Sequence, residues 1–427
     1  MKRTLVVILA LSCLHMSASA QEPEQWSRFR GPNGQGISTA TSLPTKWSAD
    51  ENIAWKIPIP GEGWSSPVIW NDHIFLTSAT NGGRECRVIA VDRKNGDILW
   101  NRMVFTQEPG RQNPRNSRAT STPVTDGQRV YAVFPNGHFV ALDFAGKILW
   151  TNSDIDFYSE HGLGTSPMLY DELLITAINQ SVNPNNNPNN ESVRNGWQLP
   201  WDRSYLLALD KNTGKERWKT MRGMSRISHS TPVVIQVNGK DLILSAVGDV
   251  VQGFEPATGE LIWTVKSDGE PAVPTPAIGE GMVFMAATGG SPILGIKTDG
   301  KGDCTATHIV WQQSRYAPLI SSFLYVKPCL FSATGGSLVA LDAATGVPLW
   351  QERLEGDIDS SPIYADGKIY VTSSIGITKV LKPNADPTKS AEVIAVNEID
   401  AQVQATLAVA GKQIFIRTDK ELLCIGK

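Results

Sequence analysis

AVDRKNGDILW at Ala90–Trp100, ALDKNTGKERW at Ala208–Trp218 and ALDAATGVPLW at Ala340–Trp350 spell one phrase, Ala-x-Asp-x-x-x-Gly-x-x-x-Trp. GFEPATGELIW (Gly253–Trp263) and the one-residue-shorter ALDFAGKILW (Ala141–Trp150) are weaker copies. With Trp55 and Trp311 the series has seven tryptophans, Trp55, Trp100, Trp150, Trp218, Trp263, Trp311 and Trp350, separated by 39 to 68 residues. A four-stranded propeller blade takes about 40–50 residues, so a β-propeller is the fold this spacing points to.

The phrase reads as a hairpin. Apolar residues such as Val339 and Leu341 alternate up to Asp342, and Gly346 then supplies the positive φ of a bulged turn before a last strand that ends in Trp350. An indole at the rim of a blade can pack its face on the neighbouring blade while its N–H finds a carbonyl. The tryptophans therefore read as packing between blades.

Each repeat also has an opener. Ser66-Pro67, Thr122-Pro123, Ser166-Pro167, Thr231-Pro232, Thr275-Pro276 and Ser361-Pro362 each precede a short apolar strand, a turn and a second strand. Proline is tolerated at the first residue of a strand, and Asp366-Gly367 is a two-residue hairpin turn. Tyr170-Asp171 and Trp70-Asn71-Asp72 mark the same turn without glycine. Ser322-Phe323 and Thr406-Leu407 complete a set of eight openers. The final segment, Gln404 to Ile425, supplies only three strands, whereas Asn52 to Ile57 is a strand with no opener. The expected architecture is all-β, an eight-bladed propeller of four-stranded antiparallel blades, its ring closed by the N-terminal strand.

Lys2 and Arg3, the apolar run Leu5 to Leu11 and Ala18-Ser19-Ala20 read as a secretory leader over 1–20. An arm over 21–51 and the propeller over 52–427 follow. Cys13 offers lipoprotein anchoring, but it follows Ala10-Leu11-Ser12, a poor lipobox, and soluble export to the periplasm or beyond is the expectation. Without Lys2 and Arg3 the chain carries 37 basic and 42 acidic side chains, a net charge of −5 with no basic run, which argues against nucleic acid. No apolar stretch beyond the leader reaches the ~20 residues of a membrane span. A monomer is expected. Cys86, Cys304, Cys329 and Cys424 show neither CxxC nor metal-finger spacing; Cys304 with Cys329 and isolated buried thiols both remain open. Gln180 to Ser204, with its Asn-Pro pairs, is an insertion between the second and third strands of blade three, and Lys382 to Ala391 is a smaller one in blade seven.

These openers and closing phrases resemble the repeats of the PQQ-like (pyrroloquinoline-quinone) propellers, including the BamB-like repeat family, over Trp26 to Lys427; the arm FRGPNGQGIS (Phe29–Ser38) resembles the start of exported members. The resemblance implies the eight-bladed ring and leaves the chemistry open. In quinoprotein alcohol dehydrogenases it implies PQQ over a tryptophan floor, under a disulfide of adjacent cysteines and beside calcium and an Asp base. No Cys-Cys occurs here. In BamB-like members it implies a cofactor-free propeller that offers loops to partners.

Residues just upstream of the openers should border the central channel. Those functional in type are Trp64, Arg118, His161, His229, Glu270, Arg315, Tyr316 and Asp359. Trp64, His229 and Asp359 stand three residues before their opening proline; Arg118, His161 and Glu270 stand five or six before it. Such a set could bind an anionic or polyhydroxylated ligand, with arginine forks for carboxylate and Trp64 or Tyr316 as a stacking face. Polar lining common to any propeller channel is the alternative. Three functional readings follow: a non-catalytic envelope scaffold that binds a protein or ligand, a small PQQ- and calcium-dependent alcohol or sugar dehydrogenase with Asp359 or Glu270 as base, and a carbohydrate-binding module.

Overall fold

The computed structural model describes residues 25–109, 116–159, 161–181, 200–287 and 290–426. They form eight antiparallel sheets that follow one another around a ring, as the openers and closing phrases imply. Blade one runs Val68–Trp70, His73–Thr80, Glu85–Asp92 and Ile98–Thr106, from the channel outward. Blade eight takes Ala408–Ala410, Gln413–Arg417 and Glu421–Ile425 from the C-terminus and its outer strand, Ile53–Pro58, from the N-terminus, with Trp55 opposite Cys424. Blade four has one addition, a short strand Gly302–Asp303 parallel to its fourth strand, and a single-turn helix, Thr305–His308, follows it.

Local chemistry accounts for the turns. Asp366 and Gly367 have φ of 51° and 71°, the two positive values a tight hairpin needs. Where glycine is missing, Asn71 (φ 52°) and Asp171 (φ 48°) take the left-handed conformation, which Asn and Asp tolerate best among residues with a Cβ.

Tryptophan docking joins consecutive blades. The closing-phrase glycines Gly96, Gly146, Gly214, Gly259 and Gly346 all have positive φ. A Cβ on any of them would lie 2.4–2.9 Å from the indole of the preceding blade: Trp55, Trp100, Trp150, Trp218 and Trp311 respectively. Four of these indoles also donate to a carbonyl across the seam, Trp55 to Arg93 (2.9 Å), Trp100 to Phe144 (2.8 Å), Trp150 to Lys211 (2.9 Å) and Trp311 to Ala343 (3.1 Å). Trp263 and Trp350 dock differently. Trp263 lies over Gly253 of its own blade and Gly300, and Trp350 packs beside Phe331.

The seams between blades are apolar. Val68, Phe75, Val88 and Ala90 of blade one meet Val130, Ala132, Val140 and Leu142 of blade two, all fully buried. At the closure between blades eight and one, the buried guanidinium of Arg417 donates to Ser65 O (3.1 Å), Ser65 Oγ (2.5 Å) and Thr77 O (2.8 Å). All four cysteines of the described residues are free and buried, so Cys304 and Cys329 do not pair. Strands Leu173–Ile178 and Tyr205–Asp210 flank the expected insertion of blade three, most of which, 182–199, lies outside the described residues. In blade seven residues 383–391 connect Ile377–Lys382 to Glu392–Glu398.

Candidate functional site

The innermost strands begin at the openers, and there the structure shows what the Ser or Thr is for. Each opener's backbone N–H donates to the hydroxyl of the next blade's opener: Ser66 to Thr122, Thr122 to Ser166, Ser166 to Thr231, Thr231 to Thr275, Thr275 to Ser322, Ser322 to Ser361, Ser361 to Thr406, and Thr406 back to Ser66, at 2.9–3.2 Å. Eight hydrogen bonds close a belt around the channel. The hydroxyl is kept at Ser322 and Thr406, where the proline is not.

All eight belt residues border one central cavity of about 490 Å³. Below the belt the cavity meets the arm. Trp26 pairs with Ile69 of blade one, Ser27 accepts from Thr125 N of blade two, and Gly36 and Ser38 pair with Tyr364 of blade seven. Between these anchors the arm crosses the channel and turns Phe29 into the cavity. Arg28 and Arg30, on either side of Phe29, point away from it and are buried: Arg28 donates to Pro232 O (3.1 Å), and Arg30 to Gln35 O (3.0 Å) and Phe323 O. Burial lowers the pKa of Arg28 to about 10 and that of Arg30 to about 9, the latter helped by repulsion from Arg28.

Above the belt stand Trp64, His161, His229 and Asp359, with Asn116, Thr120 and Gln404. Trp64 is held by its N–H on Ala119 O (3.0 Å), and Asn116 donates to His161 O (2.8 Å). The His161 and His229 rings are 6.4 Å apart. A Cβ on residue 164 would come within 2.7 Å of His229 Nδ1, so only glycine leaves room for that imidazole. His229 touches the cavity with part of its surface, but its ring is deeply enclosed. Desolvation, with a smaller contribution from His161, lowers its pKa to about 4, and it is neutral at pH 7.

Four of the eight residues expected from the sequence thus come together. The other four lie outside this cavity. Arg118 extends against Gly83. Glu270 is 2.7 Å from Arg226 in an ion pair. Arg315 is exposed, its guanidinium over the Tyr316 ring at 5.2 Å, and Tyr316 borders a separate cavity of about 180 Å³ with Pro318 and Ser291. The belt hydroxyls, Asn116, Gln404 and Phe29 are the residues that sequence reasoning did not single out.

With this geometry in view, the family model described as outer membrane protein assembly factor BamB matches residues 37–157 and 303–397, half of the chain. The chain belongs to this PQQ-like, BamB-like family. Among curated relatives, the outer membrane protein assembly factor BamB of Shewanella oneidensis is 22% identical over 214 residues, 49% of this chain and 45% of that protein. The protein of the same name from Escherichia coli K12 is 34% identical over 112 residues, 26% of this chain and 23% of that protein. The matches thus span less than half the length of these relatives. BamB from Moraxella catarrhalis superposes with a TM-score of 0.58 at 14% identity, over 88% of this chain and 99% of that one. A europium-containing methanol dehydrogenase gives 0.54 at 12% identity, over 95% and 99%, and the quinohemoprotein alcohol dehydrogenase ADHIIG of Pseudomonas putida gives 0.61 at 11%, over 94% and 80%. At these identities the superpositions establish the propeller fold alone.

The dehydrogenase neighbours raise PQQ with calcium as a test of the cavity. Calcium takes six to eight oxygen ligands, several of them carboxylates. One carboxylate, Asp359, borders the cavity, and among the described residues no three His, Cys, Asp or Glu side chains converge to hold an ion. The residues present do not fit the calcium half of that pair.

Proposed function

We propose that this chain is an exported propeller of the cell envelope that acts as a scaffold without chemistry of its own and holds an envelope protein through its loops. Membership of a family whose curated relatives are named as outer membrane protein assembly factors carries this reading. The leader-like start and the poor lipobox at Cys13 support soluble export, with the arm over 21–51 and the propeller over 52–427 as the mature body. No helix among the described residues is long and apolar enough to cross a membrane.

The cavity's hydroxyls have a structural use. A nucleophilic hydroxyl needs a base within hydrogen-bond reach. The belt hydroxyls instead accept backbone N–H groups around the ring. The test is affinity purification of the tagged full chain from gently solubilised envelopes of the source cell. A defined envelope protein should co-purify in near-stoichiometric amount; recovery of the chain alone, or a cytoplasmic location, would overturn the proposal.

A further inference from the structure

The belt leaves a chemical remainder. A hydroxyl has one O–H and two lone pairs, and each belt oxygen uses one lone pair on its neighbour's N–H. Among the described residues none of the eight donates its own O–H to a protein acceptor. Eight O–H donors therefore border a single cavity.

The charge beneath them decides what such a ring accepts. A hydroxyl ring by itself could face a cation through its second lone pairs or an anion through its protons. Arg28 ends on the carbonyl of Pro232, the residue after belt member Thr231, and Arg30 on that of Phe323, the residue after Ser322. Both guanidiniums are buried, and among the described residues neither is paired with a carboxylate and Arg28 Nε, Arg30 Nε and Arg30 Nη1 have no hydrogen-bond partner. Two buried cations at the belt repel a cation and attract an anion. Burial lowers the pKa of both arginines, with repulsion from Arg28 adding to it at Arg30, and an anion at the belt would favour their charged forms. Arg118 and Arg315, the forks expected from the sequence, lie elsewhere, and the arm supplies the positive charge instead.

The opposite wall restricts the ligand further. Asp359 stands two residues before Ser361 on the side away from the arm, with Asn116, Gln404 and the Trp64 face around the same space. A bare dianion filling the cavity would meet the Asp359 carboxylate, whereas a ligand with hydroxyls can donate to it. The cavity, at about 490 Å³, is in the range of small-molecule sites.

We propose that the channel binds a small hydroxylated acid of the sugar-acid class, its acidic group on the belt hydroxyls above Arg28 and Arg30 and its hydroxyls toward Asp359, Asn116 and Gln404. This site is independent of the protein-scaffold reading, and either can fail without the other.

The test is calorimetric titration of the full chain at pH 7 and constant ionic strength with D-gluconate, D-galacturonate, D-glucose and malonate. At least one of the two sugar acids should bind saturably, at least tenfold more tightly than glucose, which lacks the charge, or malonate, which lacks hydroxyls. Arg30→Gln and Thr231→Val should each weaken that binding tenfold or more. Arg28→Gln serves if either variant does not fold, and a crystal structure of the unaltered chain with the bound acid places the carboxylate without any variant. No saturable binding by either acid, glucose or malonate binding equally well, undiminished affinity in the folded variants, or a carboxylate seated away from the belt would each overturn the proposal.

Discussion

Replacing Thr406 with valine tests the belt at the point where the ring closes. Thr406 Oγ1 accepts the N–H of Ser361 at 3.0 Å, and the two residues are only 3% and 5% exposed. Valine has nearly the shape of threonine, which keeps the packing and removes only the acceptor. An orphaned buried N–H costs about 1–3 kcal/mol, and that is the expected loss. Thr176 is the internal control: it is 1% exposed and its hydroxyl has no partner among the described residues, so Thr176→Val should be neutral or stabilising by up to about 1 kcal/mol. Both variants would be unfolded in guanidinium chloride with tryptophan fluorescence and far-ultraviolet dichroism followed together, and hydrogen exchange would report the Ser361 amide. The expected result is a lower midpoint and faster Ser361 exchange in Thr406→Val alone. Equal midpoints for the two variants would refute the view that the openers are selected for their hydroxyl.

Gly214→Ala places a methyl 2.4 Å from Trp150 at φ +70°, whereas Gly239→Ala meets open space at φ +76°. Both incur about 1–2 kcal/mol of left-handed backbone strain, and the excess loss at Gly214 in thermal unfolding measures the tryptophan dock. Trp55→Ala removes the indole that ties the N-terminal strand to blade one and should cost about 3–5 kcal/mol, with raised protease sensitivity ahead of residue 58. His229 should titrate near pH 4 by NMR. Its folded pKa lies below the unfolded value of about 6.5, so its contribution is complete above that value and is lost as pH falls from about 6.5 to 4, by up to about 3 kcal/mol; His229→Gln should flatten that part of the pH–stability curve. Cys86, Cys304, Cys329 and Cys424 should react with a thiol reagent only after unfolding, since all are buried and burial raises the thiol pKa of Cys86 and Cys424 to about 12 and helps raise that of Cys329 to about 11.

The blades were legible because their signals are local and repeated. A glycine at the closing turn and a tryptophan four residues later each have one geometric use, and an unpaired strand at each end of the chain admits one pairing that removes both edges. The cavity was partly legible. Trp64, His229 and Asp359, two residues before their openers, cannot turn away from the channel within so short a span. At about 3.3 Å per residue, Arg118 and Glu270 are far enough upstream to have left it. His161 is as far away and still borders the cavity, where Asn116 donates to its carbonyl and the next residue, Gly162, takes a φ of +73°. The belt had a signal that proline obscured. Reading Ser-Pro and Thr-Pro as strand starts explains the proline, while the hydroxyl's persistence at Ser322-Phe323 and Thr406-Leu407 points to a role of its own. Nothing local announced the placement of Arg28 and Arg30, which depends on an arm meeting strands about 200 to 300 residues away.

In-cell photo-crosslinking tests the scaffold reading most directly. A photoreactive residue replaces Leu319, exposed at the cavity mouth, or Val347, exposed at an outer turn. A discrete adduct with one envelope protein is expected from at least one of these positions. Free, unadducted chain at both positions, in cells where the protein is exported and folded, would contradict it.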